Sequence, residues 1–248
     1  MSKFEDFARL HVPGSPLVLF NVWDVGTAKA VANAGAGAIA TGSASVSMAN
    51  GFGDGETVPL EFALANAQRI VEAVDLPVTV DFEGAYSADP HEGARNIVLL
   101  AQTGAIGCNF EDQIIGGEGL HPIPAHAERI AEARAAVGPD FFINCRTDLF
   151  LKAKQEAHDE AMLDEAIVRA RAYAEAGASG FFVPMLGKLE FLSRLCAESP
   201  LPVNFMTYPG CPSNAEIAAT GVARISHGPF PHMDLMAKFE AMAREAIG

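Results

Sequence analysis

EAGASGFFV, residues 175 to 183, is the stretch on which the fold turns. Glu175 and Ala176 end a helical pattern, Gly177 stands where the residue beyond a helix needs left-handed backbone, and an apolar run opens at Gly180. This is the pattern of a helix-to-strand turn. The same design recurs in NAGAGAIAT (33 to 41), QTGAIGCNF (102 to 110) and ATGVARISH (219 to 227). A turn of this kind used repeatedly indicates βαβ units and a parallel sheet covered by helices.

Outward from these turns the pattern predicts eight strands, at 17–23, 38–42, 78–83, 107–112, 141–147, 180–185, 203–207 and 224–228. Helices are expected near 26–35, 59–74, 91–103, 124–137, 163–177, 187–198, 213–220 and 233–247. Eight such units in 248 residues, with no Pro-, Gly- or Ser-rich linker, match one (β/α)8 TIM-type barrel domain over 1–248. A doubly wound open sheet is the alternative that the same alternation allows.

Composition narrows the function. Half of the residues (50%) are hydrophobic and 19% are charged, which fills a large core and is too apolar for a disordered chain. A formal net charge of −14 opposes a nucleic-acid partner, whose phosphates need clustered Lys and Arg. No apolar run of about 18 residues occurs, and MSKFEDFARL carries acids where a signal peptide is basic and then apolar, so a cytoplasmic protein without a membrane partner is expected. Cys108, Cys145, Cys196 and Cys211 are scattered without a CxxC pair, which suggests reduced thiols.

In a barrel the C-terminal strand ends share one mouth, where such enzymes carry their chemistry. Those ends bring Asp24, Ser43 and Ser45, Asp81 with Glu83, Glu111 with Asp112, Arg146 with Asp148, Asn204, and His227. A single Asp in such a place, such as Asp24, Asp112 or Asp148, is more often a helix cap or the partner of a nearby Arg. Asp81, Glu83 and Glu111 together are harder to neutralise, because the strand ends supply one base, Arg146. Three carboxylates on adjacent strands suit one hard cation, Mg²⁺ or Mn²⁺, and the Arg146 guanidinium suits a substrate carboxylate.

The pieces NVWDVGTAKAV (21–31), TGSAS (41–45), GFGDGE (51–56), VDFEGAY (80–86), NFEDQ (109–113), INCRTD (143–148) and PVNFM (202–206) run in one order along nearly the whole chain. In them the sequence resembles the isocitrate lyase and phosphoenolpyruvate mutase superfamily. The resemblance implies a Mg²⁺-binding barrel that handles a 2-oxo acid or its enolate. It makes Asp81 the direct metal ligand, with Glu83, Glu111 and Asp54 acting through water. It sets the substrate carboxylate against Ser43, the backbone N–H groups of Ala44 and Ser45, and Arg146, with Trp23 and Asn204 as further substrate contacts. Arg146, Glu111 and Ser43 become the catalytic candidates. Family members also exchange their last helix between subunits, so a homodimer or homotetramer is expected, although the Met233, Met236, Phe239, Met242 stripe should mostly pack on its own barrel.

The departures shape the expected activity. Glu83 stands for the usual Asp, Trp23 for a Tyr common in the lyases, and 113–130 lacks both the KKCGH-like motif of the carbon–carbon lyases and the mutase-type Lys and Asn. Glu118 and His121 are candidate replacements for the lost acid, and Cys211 reads as a packed thiol. The expected reaction is decarboxylation or hydrolytic cleavage of a small 2-oxo acid by C–C or C–P cleavage, not efficient isocitrate cleavage. The alternatives are an oxo-acid-binding protein without turnover and a lyase with a relocated acid. A phosphate-binding isomerase fits poorly, since TYPGCPS and SHGPFPH lack a Gly-rich phosphate loop.

Overall fold

The structure is a computed structural model that describes residues 2–248; Met1 of the expected domain lies outside the described residues. Its strands are β1 Leu17–Leu19, β2 Ile39–Ala40, β3 Val78–Asp81, β4 Gly107–Glu111, β5 Phe142–Arg146, β6 Gly180–Val183, β7 Val203–Met206 and β8 Arg224–Ser226. Its helices are α1 Lys3–Arg9, α2 Val25–Asn33, α3 Ser43–Ala49, α4 Leu60–Ala73, α5 Pro90–Gln102, α6 Ile123–Val137, α7 Glu160–Glu175, α8 Leu189–Glu198, α9 Asn214–Ala219 and α10 Phe230–Ile247, with a 3₁₀ turn at Gln155–Ala157.

All strand pairs are parallel, in the order β1-β8-β7-β6-β5-β4-β3-β2. The ring closes at the β1–β2 seam, where the Val22 N–H donates to Ala40 O at 2.9 Å and the Gly42 N–H to Val22 O at 3.1 Å. An open doubly wound sheet has no such seam. The four recurrent turns form as read: Gly35, Gly104, Gly177 and Gly221 have φ of 90°, 89°, 98° and 96°, a conformation that side chains with a Cβ resist. Several helices start on side-chain caps written in the sequence. Asp24, Asp89, Asp159 and Ser213 accept N–H groups of the first turns of α2, α5, α7 and α9.

Three expectations need correction. The strands are shorter than read, and β3 ends at Asp81, so Glu83 does not continue the strand beside Asp81 but sits in a turn at φ 51°. The segment after β2 is the short helix α3, and α1 was not anticipated. The α1 helix plugs the N-terminal end of the barrel: Phe7 meets Phe142 edge-on at 5.2 Å, and His11 stacks on the same ring at 4.5 Å. Finally, α10 does not pack on its own barrel. Past His232 its residues are exposed apart from half-buried Ala243, with Phe239 at 62% and Met242 at 66%. The outer face of β1 at Val18, and Phe20 just beyond the strand, lie correspondingly uncovered beside a groove of about 500 Å³.

Candidate active site

Asp81, at the last position of β3, is the centre of the mouth. Its Oδ2 accepts the Ser43 N–H at 3.0 Å and the Ser43 hydroxyl at 2.8 Å, and its Oδ1 accepts Asn109 Nδ2 at 3.1 Å. Ser43 can serve because α3 begins there with its N–H groups free of helix partners. The β4–β5 register sets Glu111 opposite Arg146. Arg146 Nη1 lies 2.8 Å from Glu111 Oε2 and 4.0 Å from Asp81 Oδ1. Asp148 grips the other edge of the guanidinium, at 2.6 Å to Nε and 3.0 Å to Nη2.

Arg146 is therefore already forked by Asp148, and only Nη1 is turned to the acids. Although burial works against its charge, Asp148, Glu111 and Asp81 hold it firmly protonated. Glu83 Oε2 accepts the Glu56 N–H at 2.7 Å, while the Tyr86 N–H donates to Glu56 Oε1 at 2.6 Å, so the 51–57 and 83–86 loops are latched to each other. Glu56, Glu83, Ala85 and Tyr86 all have positive φ, strain of about 1 kcal/mol or more at each that the latch must hold.

The charges at the mouth do not balance. Burial, then Asp81 and Asp54, pushes the Glu83 carboxyl up to about 8. Burial and Asp81 also raise Asp54. Burial raises Glu111 well above its ordinary range, with Arg146 pulling the other way.

A cavity of about 140 Å³ opens between these groups. Asn21, Ser43, Asp54, Asp81, Asn109 and Arg146 form its polar wall, and Leu151, Phe182, Met206 and Pro229 its apolar wall. A smaller void of about 20 Å³ on the other side of Asp81 reaches Glu83 and Tyr86. The structure thus gathers Ser43, Ala44, Asp54, Asp81 and Arg146 on one cavity, with Glu111 buried behind Arg146 and Glu83 behind Asp81.

Other candidates stand elsewhere. Ser45, expected to act through its backbone N–H, is not among the residues lining the cavity, and its side chain is fully buried with an unpartnered hydroxyl. Trp23 meets the His232 ring edge-on at 4.8 Å and lines neither cavity. Asn204 is 1% exposed within the barrel, bonded to Asn144 and Ser226, below the mouth. Glu118 is exposed, and His121 lines a separate pocket under the 113–121 loop. Asp24 is a helix cap, and Asp112 is bound to Arg169 and Tyr173. Sequence reading missed Asn21, which ties β1 to the His227 and Gly228 N–H groups at 2.9 Å, and Asn109. Their signal was present: each is an amide flanked by apolar residues within an expected strand.

The donor set at the mouth is all oxygen and carries surplus, mutually repelling acid, as a hard divalent cation needs. Among the described residues no group of three His, Cys, Asp or Glu side chains stands ready to hold an ion by direct contact. One direct carboxylate with water-mediated support is the mode that this arrangement fits.

A family model for phosphoenolpyruvate phosphomutase matches residues 7–247. An uncharacterized protein of Mycobacterium tuberculosis (strain ATCC 25618 / H37Rv) is 35% identical over 228 residues, 91% of this chain and 83% of that protein. A crystal structure from Burkholderia cenocepacia J2315, provisionally named a phosphonomutase, is 48% identical with a TM-score of 0.96 and covers 98% of both chains. Phosphonopyruvate hydrolase, solved with oxalate and Mg²⁺, shares the fold at a TM-score of 0.86 and 20% identity over 100% of this chain and 89% of its own. With its barrel, its strand-end acids and this match along nearly its whole length, the chain belongs to the phosphoenolpyruvate phosphomutase family, within the enzyme superfamily of phosphoenolpyruvate mutases and isocitrate lyases.

Proposed function

We propose that this protein is a Mg²⁺-dependent enzyme, with Mn²⁺ as a substitute, that breaks a C–C or C–P bond of a small 2-oxo acid through its enolate in a decarboxylase- or hydrolase-like reaction. One observation carries the reading: the cavity joins surplus acid and an oriented guanidinium and, among the described residues, has no Cys, Lys or His on its wall. Such a site stabilises negative charge well and offers no thiol or amine to protonate a leaving enolate. The hydrolase neighbour that was solved with oxalate and Mg²⁺ is consistent with it.

Asp81 would hold the cation directly, with Asp54, Glu83 and Glu111 acting through water. When bound, the cation would polarise the oxo group and stabilise enolate charge. Ser43 fixes the direction of the Asp81 carboxylate. Asp148 and Glu111 orient the Arg146 guanidinium on the cavity wall, where it would meet a substrate carboxylate. The apolar wall limits the group on C3 to a small one and excludes water from that side. The product enolate takes its proton from water.

The test is a steady-state comparison of oxaloacetate, phosphonopyruvate, isocitrate and 2-methylisocitrate with and without EDTA. EDTA-sensitive turnover of a small oxo acid is expected, with the two isocitrates at least about 10³-fold less efficient than with a complete lyase. Robust isocitrate cleavage would show that a relocated acid works there. Mg²⁺-dependent oxalate binding without any turnover would favour the binding-protein reading.

A homo-oligomer is part of the proposal. The apolar stripe on α10 and the uncovered β1 groove complement each other, and a helix supplied by a second copy would bury both.

A further inference from the structure

Arg224, at the start of β8, heads the large side chains that are fully buried in the protein, at 1% exposure. It points into the barrel and upward. Its Nε donates to Ser226 Oγ at 3.3 Å and its Nη2 to Asn109 Oδ1 at 3.2 Å, and Nη1 has no partner. Among the described residues it forms no ion pair, which makes it a costly residue to bury. Pure packing would favour an apolar side chain here.

Its bond to Asn109 gives it a second role. Asn109 Oδ1 accepts from both Arg224 and Asn144 Nδ2, at 3.2 and 2.9 Å. With two donors on its oxygen, the amide must turn its NH₂ to Asp81 Oδ1, at 3.1 Å. A reversed amide would face oxygen to carboxylate and NH₂ to NH. Asparagines can reverse in concert, but a guanidinium only donates, and Arg224 is the charged member of the chain. Asp81 is then held from both sides, by Asn109 on Oδ1 and by Ser43 on Oδ2.

We propose that Arg224 is a positioning residue for the site: through Asn109 it fixes the orientation of the Asp81 carboxylate from beneath. This rests on the reading of Asp81 as the metal ligand for its functional consequence, but not for its geometry. It acts at one remove, as groups behind metal ligands do elsewhere, where their loss lowers metal affinity about 10- to 100-fold.

Arg224→Met separates this from a structural role. Removing an unpaired buried charge should leave the melting temperature equal or higher, while Mg²⁺-dependent oxalate affinity by calorimetry falls about 10-fold or more. In an Asn109→Leu background the same substitution should add little, since the route through the amide is already cut. A lower melting temperature with unchanged affinity would make Arg224 a structural residue and overturn the proposal. A metal-free crystal structure of Arg224→Met gives an independent answer. The Asp81 carboxylate should rotate away from its Ser43 and Asn109 bonds, and an unmoved carboxylate overturns the proposal whatever the metal does. Wild-type protein without measurable Mg²⁺ binding would remove the metal reading alone, leaving that crystal structure to decide on Arg224.

Discussion

Asp81→Ala should abolish Mg²⁺-dependent oxalate binding while circular dichroism and the melting curve stay close to wild type, because its loss relieves the acid crowding around Glu83. Wild-type Mg²⁺ affinity in that variant would remove Asp81 from the metal. Arg146→Lys should weaken oxalate by about ten-fold or more, since an ammonium cannot keep both Asp148 bonds and still face Glu111. Equal affinity in a titration would make the guanidinium structural. Glu83 gives a pH test. Its folded carboxyl is pushed up to about 8 from 4.5, so the folded protein keeps a proton there that the unfolded chain releases. Stability in EDTA should therefore fall as pH rises from about 5 to 8, by on the order of 3 kcal/mol, and Glu83→Gln should flatten the slope. Denaturation at the two pH values decides, and an unchanged slope in the variant would point to another group.

At the level of elements, the helix caps and the mouth are separate properties of the same loops. Asp24 accepts the Thr27 N–H at 2.7 Å at the start of α2, outside both cavities. Asp24→Ala should cost about 1 kcal/mol in urea denaturation and leave oxalate binding alone. A loss of binding would mean that Asp24 reaches the site. Caps of this kind were legible because they need only the first turn that follows. The α3 helix was not: it is too short to show a period, and Ser43 begins it because Asp81, thirty-eight residues on, accepts its N–H. The turn at Glu83 was misread for the same reason, since alternation continued the strand while the Glu56 latch ends it.

For the whole molecule, the proposed assembly turns on α10. A helix with Phe239 at 62% and Met242 at 66% exposure is a poor solvent surface, and in the proposed exchange the α10 of a second copy would cover the β1 groove. Phe239→Glu with Met242→Glu should convert an oligomer to a monomer by light scattering and leave the barrel folded. A wild-type chain that is monomeric at micromolar concentration would end the exchange reading.

The sequence by itself determined the barrel and the identity of its mouth. Gly35, Gly104, Gly177 and Gly221, the apolar runs after them and the acids at strand ends are local signals, and a parallel ring forces strand ends to one side. What only tertiary structure decided are the relations among those residues: that Asp148 already holds the Arg146 fork, that Asn204 lies below the site and Trp23 beside it, and that α10 leaves its barrel. The reason is physical. Backbone conformation is set by neighbours in the chain, whereas the direction of a buried polar side chain is set by whichever donor, acceptor or charge the fold brings within about 3 Å of it.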